Sequence, residues 1–232
     1  MPILYLTPTL LSENTIHQVL PAYVLDIIFH LRQFVVEDIR TARRFLIKAG
    51  HPNPIEKLKF NILNEHTTIE ELHSLITFLK AEDTGLISEA GVPAVADPGA
   101  SIVRLAHDND IRVVPLVGPS SILMALMASG LNGQSFTFVG YLPVKQIERQ
   151  KRLSELERTS VKEKQTQIFI ETPYRNMKLL DDILQCCKKT TLLTIASNIT
   201  SANEYIKTQT IQQWKKQLPV LNKIPTVFLL QA

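Results

Sequence analysis

The sequence predicts an α/β protein of two α/β domains, the first built on a mostly parallel sheet. Three observations carry this expectation. Short apolar runs alternate with longer helical patterns through the first half, which is the signature of βαβ units. The length, 232 residues, lies between one large domain and two ordinary ones. A Gly118-Pro119-Ser120-Ser121 junction near mid-chain separates the first series of elements from a second, placing the domains at residues 1–117 and 118–232.

The elements follow in order. ILYL (3–6) reads as the first strand and TIHQVLPAYVLDIIFHL (15–31) as helical. FVVED (34–38) is a second strand, followed by the helical RTARRFLIKAG (40–50). KFNIL (59–63) and IEELHSLITFLKAED (69–83) repeat the strand–helix pattern. TGLISEAG (84–91) leads to a helix running through residue 108, and IRVVPLVG (111–118) closes the first domain. Beyond the junction comes an apolar helix of small residues, ILMALMASG (122–130), with Gly130 as its expected C-terminal cap. FTFVGYLP (136–143), TQIFIE (166–171), TLLTIAS (191–197) and TVFLL (226–230) read as strands. A highly charged helix spans 145–164, and NMKLLDDILQCC (176–187) supplies another.

Composition narrows the class. Hydrophobic residues make up 45% and charged residues 20%, an ordinary globular composition that argues against disorder. No apolar stretch approaches the roughly 20 residues that span a bilayer. The opening MPILYLTPTL lacks a basic leader, so neither a signal peptide nor a membrane anchor is expected and the cytoplasm is the simple location. The only cysteines, Cys186 and Cys187, are adjacent and form no disulfide framework. Charge is uneven: residues 1–117 carry 10 Lys and Arg against 14 Asp and Glu, whereas residues 118–232 carry 15 against 8. The basic second half is compatible with a polyanionic partner such as RNA.

Several chemistries lack their motifs. There is no Gly-x-x-x-x-Gly-Lys-Ser/Thr phosphate loop and no Gly-x-Gly-x-x-Gly after the first strand. The six histidines form no His-Glu-x-x-His or Cys/His cluster, so no metal site is expected. Gly-x-Ser-x-Gly, the nucleophile elbow of α/β-hydrolases, is also missing.

What remains is a set of polar strand ends, where ligands bind in open α/β sheets. LISEAGVPAVADPG (86–99) ends a strand, breaks the chain at Gly91 and Pro93, and restarts a helix with Asp97 as cap and Pro98 at its first position. Gly91 lets backbone approach a ligand closely. Glu37-Asp38-Ile39-Arg40 follows the second strand, as ligand-holding acids or as an Asp38 helix cap paired with an arginine. Asn64-Glu65-His66 follows the third, as an acid–base couple or a structural pair. Ser120 and Ser121 stand where they cap the next helix or bond a ligand. These readings stop at a two-domain protein with a small-molecule cleft.

SEAGVPAVADPG resembles the Asp-Ala-Gly-x-Pro-x-Ile-Ser-Asp-Pro-Gly signature of the tetrapyrrole methylase superfamily, and most resembles its small-subunit ribosomal RNA methyltransferase branch. VVEDIRTARRFL (35–46), NEH (64–66), IRVVPLVGPSSILMALMASGL (111–131), FVGYLP (138–143) and IETPYR (170–175) match in the same order. The likeness covers nearly the whole chain and is densest between residues 84 and 143.

The resemblance implies S-adenosylmethionine held folded in a cleft between the two domains, largely by backbone groups. Ala90, Gly91, Val92, Ala94 and Val95 would line its methionine and ribose, and Ser120 and Ser121 would close the site. Leu142, Ala196, Asn198, Pro225 and Thr226 would border the adenine. Methyl transfer to a ribose 2′-hydroxyl calls for a general base within reach, with Glu37, Asp38, Glu65, His66 and Glu89 as catalytic candidates. Arg40, Arg43 and Arg175 are candidates to orient phosphate or carboxylate groups. A homodimer is the family tendency.

The chain departs from the branch in several places. Thr9-Leu10-Leu11 replaces an Ile-Gly-Asn, and Ser197-Asn198-Ile199-Thr200-Ser201 stands for Arg-Glu-Leu-Thr-Lys. Lys223-Ile224-Pro225 stands for Lys-Gly-Glu, and Glu89 for an Asp. A methylase of a tetrapyrrole-like small molecule, or a cofactor-binding homologue without turnover, therefore stand as alternatives to the RNA enzyme.

Overall fold

Five short strands of the first unit run parallel, and their ends lie level at one sheet edge. The computed structural model describes residues 2–13, 15–64 and 66–232. It contains two units, which divide between Ser120 and Ser121. The first holds β1 (Ile3–Thr7), β2 (Gln33–Val36), β3 (Lys59–Ile62), β4 (Thr84–Ile87) and β5 (Arg112–Pro115) in the order β3-β2-β4-β1-β5. Every pairing is parallel. Thr7 of β1 and Val36 of β2 both pair with Ile87 of β4, so the loops leaving these three strands emerge side by side.

Continuous apolar strands follow from helices on both faces. Alternate side chains point to opposite sides of a sheet. Phe34, Val36 and Ile87 pack with α1 (Ile16–Val19), α2 (Ala22–His30) and α3 (Ile39–Ala49). Val35, Leu86 and Leu4 pack instead with α4 (Ile69–Ala81) and α5 (Gly99–Asp108). The helical run expected over 15–31 is two helices, because Pro21 has no N–H to donate and holds an extended ψ of 147°. Thr68 begins α4 with a full capping box to Glu71.

The second unit holds α6 (Ser121–Ser129), β6 (Phe136–Tyr141), α7 (Gln146–Glu163), β7 (Thr166–Ile170), α8 (Asn176–Cys186), β8 (Leu192–Ser197), β9 (Tyr205–Thr210), α9 (Ile211–Trp214) and β10 (Thr226–Gln231). Its sheet, ordered β6-β7-β10-β8-β9, is mixed: β6 and β7 are parallel, and the remaining pairings are antiparallel. Gly130 follows α6 with φ +71°, the left-handed conformation of a glycine cap. The core gathers Leu153 and Leu156 of α7, Leu180 and Ile183 of α8, and Phe169 and Phe228 of the central strands. Trp214 is buried there and donates its indole N–H to the Leu193 carbonyl at 2.8 Å.

The charged helix α7 buries two of its ionisable side chains. Arg149 contacts Asp182 of α8 at 2.5 Å, both almost fully enclosed, and donates to the carbonyls of Pro143 and Val144. Gln146 and Gln150 donate to the other Asp182 oxygen, so the pair is satisfied on both sides. Glu157 accepts from the Lys188 N–H and the Thr191 hydroxyl.

Candidate active site

The level strand ends of the first unit surround a cavity of about 260 Å³. The segment after β1 contributes Thr9 to Glu13, the segment after β2 contributes Glu37 and Asp38, and the segment after β4 contributes Ser88, Glu89 and Ala90. Thr41, Arg44 and Lys48 of α3 form a further wall, with Ala42 and Phe45 between them.

Backbone bonds fasten these loops together. The Thr9 N–H donates to the Gly91 carbonyl at 2.9 Å, and its hydroxyl donates to the Ser88 carbonyl at 3.2 Å. The Glu89 N–H donates to Glu37 Oε1 at 3.2 Å, tying the end of β4 to the end of β2. Burial pushes the Glu37 carboxyl above its ordinary value. The Glu89 N–H opposes that rise, while the charges of Asp97 and Glu89 add to it. Asp38 behaves differently: its carboxylate caps α3, accepting the Thr41 N–H at 2.8 Å and hydroxyl at 3.1 Å. Those bonds hold it below the ordinary carboxylate range. Asp38 is therefore a helix cap as well as a cavity residue, and its charge favours the helix N-terminus.

The loop from Ser88 to Asp97 is wound by left-handed residues, Gly91 (φ +74°), Ala94 (+65°) and Ala96 (+64°). Only glycine fits the first position, since a Cβ there would lie 2.8 Å from the Pro119 carbonyl oxygen. The two alanines adopt a costly conformation that surrounding bonds must impose. Asp97 supplies one for Ala94 and ties the loop to the helix start: its carboxylate accepts the Ala94 N–H at 2.9 and 3.0 Å and the Gly99 N–H at 2.7 Å. Burial raises the Asp97 carboxyl, and the Gly99 and Ala94 N–H groups oppose the rise. The helix starts one residue later than expected. Pro98 is its boundary residue, and Asp97 reaches forward to Gly99 rather than occupying the cap position.

The expected site residues thus separate. Glu37, Asp38, Glu89 and Ala90 line one cavity. Gly91 is buried beneath it, Val92 and Ala94 are half-buried, and Val95 is exposed. Ser120 and Ser121 are half-buried. Glu65 lies outside the described residues. His66 is exposed and outside the cavity lining, its N–H donating to Asn64 Oδ1. Arg175 is engaged by Glu171 at 2.6 Å, and Arg43 lies over the Phe60 ring at 5.4 Å.

In the second unit, Ala196, Asn198, Pro225 and Thr226 do come together. Ser197 pairs with Thr226, and the Asn198 N–H donates to the Pro225 carbonyl at 3.1 Å. Asn198 is left-handed at φ +50°, whereas Ala196 and Leu142 are buried. Thr9, Thr41, Ser88, Arg44 and Lys48 were not among the sequence candidates. The last two carried a legible signal, because with Thr41 they recur at helical spacing beside Glu37-Asp38.

A three-layer parallel unit with a cavity at its strand ends, followed by a mixed-sheet α/β unit, is the architecture of a methylase class. Residues 25–215 match the family model for Tetrapyrrole (Corrin/Porphyrin) Methylases, and the chain belongs to that family. Ribosomal RNA small subunit methyltransferase I of Xylella fastidiosa is 33% identical over 182 residues, covering 78% of this chain and 64% of that protein. The Vibrio cholerae protein of the same name is 32% identical over 208 residues, covering 89% and 68%. The chain thus spans about two thirds of the length of these curated relatives.

Two solved structures share the fold. The methyltransferase CobJ superposes with a TM-score of 0.65 at 14% identity, covering 100% of this chain and 94% of that one. Uroporphyrin III C-methyl transferase from Thermus thermophilus gives 0.59 at 13% identity, covering 98% and 96%. Among the described residues no helix is long and apolar enough to cross a membrane.

Proposed function

We propose that this protein is an S-adenosylmethionine-dependent methyltransferase acting on a ribose 2′-hydroxyl of small-subunit ribosomal RNA. The observation that carries the reading is the cavity, whose lining brings Glu37, Asp38 and Glu89 together with Arg44 and Lys48. Two relatives named Ribosomal RNA small subunit methyltransferase I, 33% and 32% identical, favour RNA over a tetrapyrrole as the acceptor.

The residues present fit the cofactor. The Ala90–Val95 loop has small or glycine side chains at the turns, leaving its backbone open, and the carboxylates nearby suit a cationic donor. Bound there, S-adenosylmethionine supplies an already activated methyl group. Ala90, Gly91, Val92, Ala94 and Val95 would hold it from the first unit, with Ser120 and Ser121 as further contacts. Glu37 takes the hydroxyl proton, since a raised carboxyl is a stronger base than an ordinary one and the Glu89 N–H fixes its orientation. Glu89 completes the acidic wall. His66 is not assigned a role in the cavity. The protein acts in this reading as a cytoplasmic homodimer.

The test incubates the full chain with undermethylated small ribosomal subunits and methyl-labelled S-adenosylmethionine, then digests the RNA to nucleosides. Label on a 2′-O-methyl nucleoside is the expected result. Transfer to a tetrapyrrole panel but not to subunits would overturn the substrate. Cofactor binding by calorimetry without transfer to either would mark a homologue that has lost turnover.

A further inference from the structure

The polar face of α3, the helix that follows Glu37, adds cations to the cavity. Thr41, Arg44 and Lys48 fall at i, i+3 and i+7, one stripe of the helix, and all three line the cavity. Ala42, Phe45, Leu46 and Ala49 are buried in the core and anchor α3 beside the stripe. Arg43 points elsewhere, over Phe60, which leaves Arg44 as the guanidinium beside the cavity. Arg44 is exposed and has no ion-pair partner among the described residues. Lys48 meets Glu13 at 3.7 Å, an exposed pair that is weak and easily exchanged for a stronger anion.

The sign of charge changes along this wall. Glu37 and Asp38 stand at the start of α3, whereas Arg44 and Lys48 lie about 9 and 15 Å further along it at 1.5 Å per residue. A polyanion is repelled from the first end and attracted to the second. We propose that Arg44 and Lys48 hold backbone phosphates on one side of the acceptor nucleotide, with Thr41 between them and the sugar facing Glu37. This assignment rests on the RNA reading above, and makes α3 the element that selects a nucleic-acid strand. It replaces Arg40, Arg43 and Arg175 as the phosphate contacts.

Arg44→Gln, Lys48→Gln, the double variant, Arg44→Lys and a control, Lys57→Gln, separate the possibilities. Each is assayed for methyl transfer to undermethylated subunits and for salt-dependent binding of a labelled single-stranded oligoribonucleotide. Each glutamine variant is expected to raise KM for subunits about tenfold, with kcat and calorimetric cofactor affinity unchanged. The slope of log affinity against log salt should fall by about 0.7 per cation removed. Arg44→Lys should recover most of the loss, and Lys57→Gln should match the parent.

A double variant with parental KM and slope overturns the phosphate assignment and leaves the RNA reading standing. A parent that methylates no subunits overturns both. If the same variants instead lose transfer to a tetrapyrrole, the cations bind carboxylates and the RNA assignment is wrong. Unchanged cofactor affinity shows in each case that the variants are folded.

Discussion

The Glu37 carboxylate accepts the backbone N–H of Glu89 at 3.2 Å, joining the ends of two adjacent parallel strands through a side chain. Because burial raises Glu37 above its ordinary value of 4.5, its proton is favoured in the folded state. Catalysis needs the ionised form, so the rate should climb with pH through that raised value and level off beyond it. Glu37→Gln should lower kcat by about 10²- to 10⁴-fold and abolish the acidic limb of the profile. Folding stability should move the other way. The ionised Glu37 disfavours the folded state once pH exceeds its raised value, so the glutamine variant should melt higher at pH 7.5. That advantage should vanish near pH 4, where the carboxyl is protonated folded and unfolded alike.

Gly91→Ala forces a Cβ toward the Pro119 carbonyl at a left-handed position. The cost is expected at about 1–3 kcal/mol, read by urea denaturation. Calorimetric affinity for S-adenosylmethionine should fall with it. Parental affinity in a folded variant would remove the loop from the cofactor site.

Asp97→Ala removes the acceptor for the Ala94 and Gly99 N–H groups and should destabilise by about 0.5–2 kcal/mol. Limited proteolysis should then cut between residues 90 and 97 faster than in the parent. An unchanged cleavage rate would mean that the loop holds its left-handed turns without Asp97.

Asp182→Asn leaves Arg149 enclosed without its counter-ion and should cost about 3–5 kcal/mol. Burial pushes the Asp182 carboxyl up, yet the bonds from Gln146, Gln150 and Arg149 and the Arg149 charge leave it below its ordinary 3.8. Its contribution is therefore fully present above pH 3.8 and lost as pH falls through the lower folded value. The gap between parent and variant should be constant from pH 8 to 5 and narrow in stronger acid.

Cys187 is pushed up to about 12, chiefly by burial, with the Glu157 and Cys186 charges adding to the effect. Iodoacetamide at pH 7.5 should leave it unmodified in the native protein, since the thiolate is the reactive form. Mass spectrometry after denaturation in urea should find both cysteines alkylated.

The strands of the first unit were legible because burial on both faces makes them continuous apolar runs, as in Phe34-Val35-Val36. β9 was not, since Tyr205–Thr210 carries Lys207, Thr208, Gln209 and Thr210 at a sheet edge and has no apolar run to mark it. The Arg149–Asp182 pair was hidden for a related reason: composition identifies α7 as charged, but only its packing against α8 says which charges turn inward. At the site, Glu37, Asp38 and Glu89 were readable as polar residues at strand ends. Thr9 and Ser88 were not, because their part is to bond backbone across 79 residues of sequence.

The chain contains a single tryptophan, Trp214, and it lies in the core of the second unit. Intrinsic indole emission is consequently a private reporter of that unit, silent about the parallel sheet and its cavity. Ellipticity, by contrast, averages over every helix in both. Where the two signals part company along a denaturation curve, the interval between them measures how independently the halves of the chain melt.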